Sequence, residues 1–209
     1  MDDIVAVTLL RHAMTLSNKQ HAYMGWTDSP LCFPDRQKPF PAAQDLVFSS
    51  DLQRCKKTAE LMFPASTPIL CSEFREMNFG EWEGKTYKDL AGIDHYQKWL
   101  DDPFCLRPPA GETYQEFAGR VEQGWKAAAE IILNTGSNTA AVVTHGGVIR
   151  HLLSVLAPFK KEFWEWKIDY SCGYTLGWSR EALRRGELCT LLQEALLTEN
   201  PNGSGSTTG

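Results

Sequence analysis

Ile4-Val5-Ala6-Val7-Thr8-Leu9-Leu10-Arg11-His12-Ala13-Met14-Thr15-Leu16-Ser17-Asn18 is the stretch around which this chain organises itself. An apolar run this short, rich in Val and Ile and ended abruptly by charge, reads as a buried strand, because a helix needs a longer pattern of period 3.6. Open α/β sheets bind ligands beyond the carboxyl ends of their strands. Arg11 and His12 therefore fall at a ligand edge, with the polar loop Ala13 to Asn18 beside them. Alone, such a pair is equally well a surface arginine next to a hydrogen-bonded histidine, so the decision rests on the rest of the chain.

The same grammar returns far downstream. Thr139-Ala140-Ala141-Val142-Val143-Thr144 is a second buried-looking strand, and it stops at His145-Gly146-Gly147 before a helix expected over Val148 to Ala157. Two glycines leave the backbone free to approach a ligand where a helix begins. His151, inside that helix, reads as a packing or surface residue.

Between these landmarks, Asp45 to Ser50 reads as a strand, and Ser50 or Asp51 can cap a helix from Leu52 to Phe63 that Pro64 closes. Arg54 falls in its first turn, where free backbone N–H groups already favour an anion. Ile69 to Cys71 is a further strand. It leads into Glu73-Phe74-Arg75-Glu76-Met77-Asn78-Phe79-Gly80-Glu81-Trp82-Glu83-Gly84, four carboxylates among aromatics and glycines. A carboxyl packed against apolar neighbours holds its proton more tightly, which makes Glu76 the candidate acid. Tyr87 to Leu100 is expected as one helix with Trp99 on its apolar side. Thr113 and Glu116 have capping-box spacing, and Tyr114, Phe117, Val121, Trp125, Ala128 and Ile132 form one apolar stripe, read as core. Tyr170 to Trp178 and Glu187 to Gln193 read as late strands, one antiparallel at the sheet's edge. His21 reads as an exposed loop histidine, and three prolines between Cys32 and Pro41 exclude an ordinary helix.

At 209 residues and 43% hydrophobic content, the chain can bury one sizeable core. We expect a single domain over 1–198 and a tail over 199–209 with the composition of disorder. A formal charge of −5 without any long basic run argues against nucleic acid or an anionic membrane as partner. No apolar run approaches membrane-spanning length, and Met1-Asp2-Asp3 lacks the basic start of a signal peptide, so a cytoplasmic protein is expected. Six widely spaced cysteines without Cys-x-x-Cys read as free, mostly buried thiols. The histidine spacing offers no metal-binding pair, so no metal and no cofactor are expected.

Taken together, Arg11-His12-x-x-Thr15-x-x-Asn18, Ser49-Ser50-x-Leu52-x-Arg54-x-x-x-Thr58, the Glu76 loop with Phe79-Gly80-x-Trp82-Glu83-Gly84, and Thr144-His145-Gly146-Gly147 resemble the histidine phosphatase superfamily, also called phosphoglycerate-mutase-like, and occur in that family's order. The resemblance runs from about Ile4 to Trp178 and is greatest to the small bacterial phosphatases, including α-ribazole phosphatases. It implies a three-layer α/β sandwich with a mostly parallel central sheet and one antiparallel edge strand. It also implies a metal-independent phosphomonoesterase acting on a small phosphorylated metabolite through phosphohistidine. Two departures stand out. Ala13 and Met14 replace the family's usual glycine and frequent acid, and prolines and loop at Cys32 to Ala43 replace its first helix. An uncovered sheet face would leave a large apolar patch, hence the expectation of a homodimer.

Phosphoryl chemistry accounts for these residue types. The phosphoryl group in flight carries negative charge on its equatorial oxygens, so a site needs fixed cationic donors in line with a nucleophile. Arg11, Arg54 and His145 are the candidate donors, with Asn18, Thr15 and the backbone at Gly146 completing the cradle. His12 as neutral imidazole is the candidate nucleophile, its other nitrogen donating to a backbone carbonyl. Glu76 would protonate the leaving alkoxide and then take a proton from the water that hydrolyses phosphohistidine. Trp26, Trp82, Trp99, Phe104 and Trp164 are candidates to wall an aromatic leaving group or to serve as ordinary packing. A mutase and an inactive phosphate-binding module are the alternatives. Against the mutase stands the short segment between Glu76 and Gly111, which has only Lys85, Lys88, Lys98 and Arg107 as cations.

Overall fold

The computed structural model describes residues 4–34 and 37–195. The tail expected at 199–209 lies outside the described residues. Among these, strands β1 (Ile4–Arg11), β2 (Leu46–Ser50), β3 (Ile69–Cys71), β4 (Thr139–Thr144), β5 (Gly173–Ser179) and β6 (Leu191–Ala195) form one sheet in the order β3-β2-β4-β1-β5-β6. The first four of that order run parallel. β5 is antiparallel to β1 and to β6, so the antiparallel pairing falls at one edge, as expected.

Alternation along the strands feeds two cores. Val5, Val7 and Leu9 of β1 face a cluster with Phe117, Val121 and Ile132 of α5 (Tyr114–Thr135) and Val148 and Leu152 of α6 (Gly146–Leu156). Leu10, Val47 and Val143 face the opposite side, against Cys55, Ala59 and Met62 of α2 (Gln53–Met62). The three layers follow directly. Each fully buried Val, Ile or Phe in the α5 stripe contributes roughly 1.5–3 kcal/mol. α5 begins with the expected reciprocal cap, in which Thr113 Oγ1 accepts from Glu116 N, and ends on left-handed Gly136.

Several local expectations need correction. Neither Ser50 nor Asp51 caps α2: Leu52 is the N-cap and makes no side-chain bond. Instead Asp28 reaches in from a distant loop and accepts from Gln53 N at 2.7 Å and Arg54 N at 3.3 Å. The helix expected over Tyr87 to Leu100 is two, α3 (Tyr87–Leu90) and α4 (Asp94–Asp101), broken around Gly92. In one continuous helix Leu90 and Trp99 would point about 180° apart, yet both pack with Trp82 and Tyr96 in one cluster, which only a break allows. α6 begins at Gly146, with His145 as its N-cap. The polar loop after β1 contains a single helical turn, α1 (Leu16–Lys19). A short α7 (Arg180–Arg185) follows β5.

All six cysteines are free, but only Cys55 and Cys189 are buried; Cys105 is exposed, because it lies in the irregular segment after α4. In the proline-rich segment, Phe40 packs on Phe63 at 5.4 Å and its N–H donates to Met62 O, so loop partly replaces the missing helix. On the sheet face beside it, Thr8 and Thr175 pair their hydroxyls at 2.9 Å, Ala6 and Gly177 lie in register next to them, and Ile4 and Leu191 are exposed at the end.

Candidate active site

Register brings the two histidines together. β1 and β4 are parallel neighbours with Arg11 opposite Thr144, so His12 and His145 leave the sheet side by side at its carboxyl edge. His12 N donates to Thr144 O at 2.9 Å, and the two imidazole centroids lie 5.2 Å apart. Both rings are buried. His12 Nδ1 stands 2.7 Å from Ala13 O; a carbonyl can only accept, so Nδ1 carries the proton and the Nε2 lone pair is left free. Burial, then Arg54, holds the His12 pKa well below the usual 6.5; its bond to Ala13 pulls the other way, and Arg11 adds the least of the lowering effects. His145 is lowered in the same sense by burial, then Arg54, His12, Arg11 and Arg120. Both shifts favour the neutral rings in the free protein. His145 Nε2 pairs with Ser50 Oγ at 3.0 Å, and Cys55 Sγ lies 3.4 Å away. Burial pushes the Cys55 thiol far up, so that neighbour is uncharged. Ala13 does not occupy left-handed backbone, so replacing glycine there is tolerated; its N–H donates to Thr58 Oγ1 at 3.0 Å.

The two arginines share a diagnostic defect. Arg11 Nη1 donates to Ile168 O at 2.7 Å, and the Tyr170 ring lies 3.7 Å from its Cζ. Arg54 is 1% exposed; its Nη1 donates to Thr27 O at 2.9 Å and Asp28 Oδ1 at 3.1 Å, and its Nη2 to Gly25 O. In both, the buried Nε has no partner. An unpaired buried donor costs about 1–3 kcal/mol. Two such donors beside one buried imidazole fit a tetrahedral oxyanion, which would give both an acceptor.

Glu76 joins this group through the start of α6. Its Oε2 accepts from Gly147 N at 2.9 Å and its Oε1 from Met77 N at 3.0 Å. The carboxylate therefore has polar partners, unlike the apolar setting read from the sequence. A Cβ on Gly147 would lie 2.2 Å from Glu76 Oε1, so a side chain there would displace the carboxylate from its place on the helix start. The backbone of Glu76 is fixed from outside: Trp26 Nε1 donates to its carbonyl at 3.0 Å and Arg120 Nη2 at 3.2 Å. Arg120 also donates to the carbonyls of Glu73 and Arg75 and pairs with Glu112. Glu83, another of the four acids, ties this loop to the one before α2 by accepting from Trp26 N and Thr27 N.

The remaining sequence candidates divide. Gly146 lies where a Cβ would be 3.4 Å from both Arg11 Cζ and Arg150 Nη1, inside the cluster. Thr15 and Asn18 instead meet each other: the Thr15 hydroxyl donates to Asn18 Oδ1 at 2.8 Å and accepts from Asn18 N, capping α1. Thr15 thus holds Asn18, and only the Asn18 amide NH2 is left to donate outward. Among the described residues, no group of three or more His, Cys, Asp or Glu is placed to hold a metal ion. No helix there is long and apolar enough to cross a membrane.

Beside Glu76 and Gly147 opens a pocket of about 690 Å3. Trp99, Phe104 and Trp164 line it, joined by Tyr23, Phe79 and Phe163. Trp82 does not, because it fills the cluster under α3 and α4, and Trp26 is held away against Glu76 O between Arg75 and Arg120. Tyr114 and Phe117, read as core stripe, reach the pocket too. Asp28, Tyr170, Arg120 and Arg150 escaped the sequence reading as site residues, and Ser50 entered it as a motif residue and helix cap rather than as the partner of His145. Their relevance depends on contacts across the fold, and no local pattern marks them.

The comparisons agree with this geometry. The model of the histidine phosphatase superfamily (branch 1) matches residues 7–185. A relative from Escherichia coli K12, named adenosylcobalamin/alpha-ribazole phosphatase, is 30% identical over 176 residues, covering 78% of this chain and 85% of its own. The crystal structure of a putative alpha-ribazole-5'-P phosphatase from Escherichia coli K-12 superposes with a TM-score of 0.76 at 25% identity, covering 91% of this chain and 95% of that one. A phosphoglycerate mutase structure from Thermus thermophilus gives 0.64 at 28% identity, covering 93% and 100%. The matched span takes in Arg11, His12, Arg54, Glu76 and His145 in their family order, and the fold gathers these residues at one sheet edge. The chain belongs to the histidine phosphatase superfamily, branch 1.

Proposed function

We propose that this protein is a metal-independent phosphomonoesterase that hydrolyses a small phosphorylated metabolite through a phosphohistidine at His12. The observation that carries the reading is a buried neutral imidazole, its Nε2 lone pair free, flanked by two guanidiniums whose buried Nε atoms lack an acceptor. The phosphate dianion supplies both acceptors. His12 Nε2 attacks phosphorus, the bond from phosphorus to the ester oxygen breaks, and Glu76 delivers a proton to that oxygen. Water then attacks phosphohistidine, Glu76 takes its proton, and inorganic phosphate leaves. Arg11 and Arg54 stabilise the charge on the equatorial oxygens throughout, each worth on the order of 10² to 10³ in rate. With the Ser50 hydroxyl donating a hydrogen bond to His145 Nε2, the proton of the neutral His145 ring stays on Nδ1, which is then a further donor.

The aromatic pocket beside Glu76 supports a bulky flat leaving group, and the names of the relatives suggest α-ribazole phosphate as the first substrate to try. We further propose a cytoplasmic setting, in which its cysteines remain thiols.

The test is turnover of p-nitrophenyl phosphate and α-ribazole phosphate in excess chelator, with acid-labile label trapped on His12. A folded protein that hydrolyses no phosphomonoester in a broad panel would be the inactive binding module. Similarity to the Thermus mutase structure keeps the mutase as a second reading. Label from a phosphate donor should pass to water whether or not phosphoglycerate is present; interconversion of 3- and 2-phosphoglycerate outrunning phosphate release would make the protein a mutase.

A further inference from the structure

One cation at the pocket has no counterpart in the chemistry above. Arg150 lies one turn along α6 from Gly147, is half-buried, and lines the same pocket as Glu76. Its Nε donates to Trp166 O at 3.1 Å, which anchors the guanidinium from behind, and the Trp164 ring lies 5.7 Å from its Cζ. Among the described residues its two Nη groups make no hydrogen bond and no ion pair. Its nearest charged neighbours are Arg11, which repels it, and Glu76, which attracts it; burial and Arg11 lower its pKa. Arg11 and Arg150 flank the same glycine, Gly146. A half-buried guanidinium beside a second one, with no carboxylate paired to it, has Nη donors free to meet oxygens of a ligand.

Position says which oxygens. Arg150 lines the aromatic pocket together with Glu76 and Gly147, whereas His12, Arg11 and Arg54 are not in its lining. Phe163, Trp164 and Phe104 wall the same pocket. The lining thus combines a carboxyl, a guanidinium with free donors and a flat apolar surface.

We propose that Arg150 is a specificity-determining residue that donates hydrogen bonds to oxygen atoms on the carbons next to the phosphoester, selecting a sugar-type leaving group over one without those oxygens. The proposal rests on the phosphatase reading. A site built to pair with such oxygens rejects analogues that lack them, since its own donors are then left unpaired.

The experiment compares kcat/KM for ribose 5-phosphate and cyclopentylmethyl phosphate, which has a similar ring without its oxygens, with p-nitrophenyl phosphate as control for an intact phosphate site. Wild-type protein should favour ribose 5-phosphate over the cyclopentyl ester by roughly 10- to 100-fold, the size expected for one or two charge-assisted bonds. Arg150→Met should reduce that ratio to within a few-fold of unity, and Arg150→Lys, which keeps charge but loses the planar fork, should fall between. The wild-type ratio needs no variant, so a misfolded Arg150→Met does not rescue the idea. A wild-type ratio near one overturns it. Equal losses on all three substrates in Arg150→Met also overturn it, because Arg150 would then belong to the phosphate cradle. Absence of turnover of every phosphomonoester in the broad panel by the folded wild-type protein ends the phosphatase reading, and this one with it.

Discussion

In the proposed mechanism His12 must keep a lone pair at working pH, and burial and two guanidiniums both act in that direction. The same arginines are held by carbonyls at one side and left with an orphan Nε at the other, so the donors are aimed before substrate arrives. His12→Ala should abolish turnover, and Arg11→Ala, Arg54→Ala or His145→Ala should each lose roughly 10² to 10³-fold in kcat/KM on p-nitrophenyl phosphate. Glu76→Gln should behave differently. Nitrophenolate leaves without help and an alkoxide does not, so the loss should be small on the aryl ester and approach ~10² to 10⁴-fold on an alkyl ester. Equal losses on the two would remove Glu76 from the acid role. The residue types of this cradle were legible in the sequence because phosphoryl transfer demands them. Asp28 and Tyr170 were not, since a turn aspartate and a loop tyrosine gain meaning only from the arginines they hold.

The start of α6 does two jobs at once: it receives the Glu76 carboxylate on Gly147 N and continues β4 through His145. Gly147→Ala tests that coupling. The new methyl would meet Glu76 Oε1 at 2.2 Å, in a helix where alanine is otherwise preferred to glycine by up to about 1 kcal/mol. The expected outcome is unchanged or raised thermal stability together with a loss of roughly tenfold or more in the ratio of alkyl- to aryl-phosphate turnover, as for a displaced acid. A stability loss with both activities falling in parallel would mean that the glycine serves the fold and not the acid. The periodicity of β1, β4 and α5 made these elements readable. The break between α3 and α4 was not, because it follows from Trp82 drawing Leu90 and Trp99 to one side.

For the molecule as a whole, burying His12 and His145 as neutral rings links stability to pH. Unfolded, each titrates near 6.5; folded, each titrates lower, so below 6.5 the unfolded chain binds protons that the native state does not. Stability is therefore fully present above about pH 6.5 and should fall as pH drops through the interval below it, by up to about 1.4 kcal/mol per unit for each ring. Inorganic phosphate, binding only the native state and favouring the protonated rings, should restore it. Denaturant titrations at about pH 7.5 and 5.5, with and without phosphate, measure this; a flat profile would show that the rings are not held neutral. The sequence by itself determined the α/β class, the strand that ends in Arg11-His12, its echo at His145, and the residue types of the cradle, because hydrophobic periodicity and charge placement are local. Only the tertiary structure decided that parallel register sets His12 beside His145, that Asp28 caps α2 and holds Arg54, and that Glu76 docks on Gly147. It also decided that Arg150 stands unpaired in the aromatic pocket. Each of these is a contact between residues far apart in the chain, fixed by how the layers pack, and one-dimensional spacing carries no record of it.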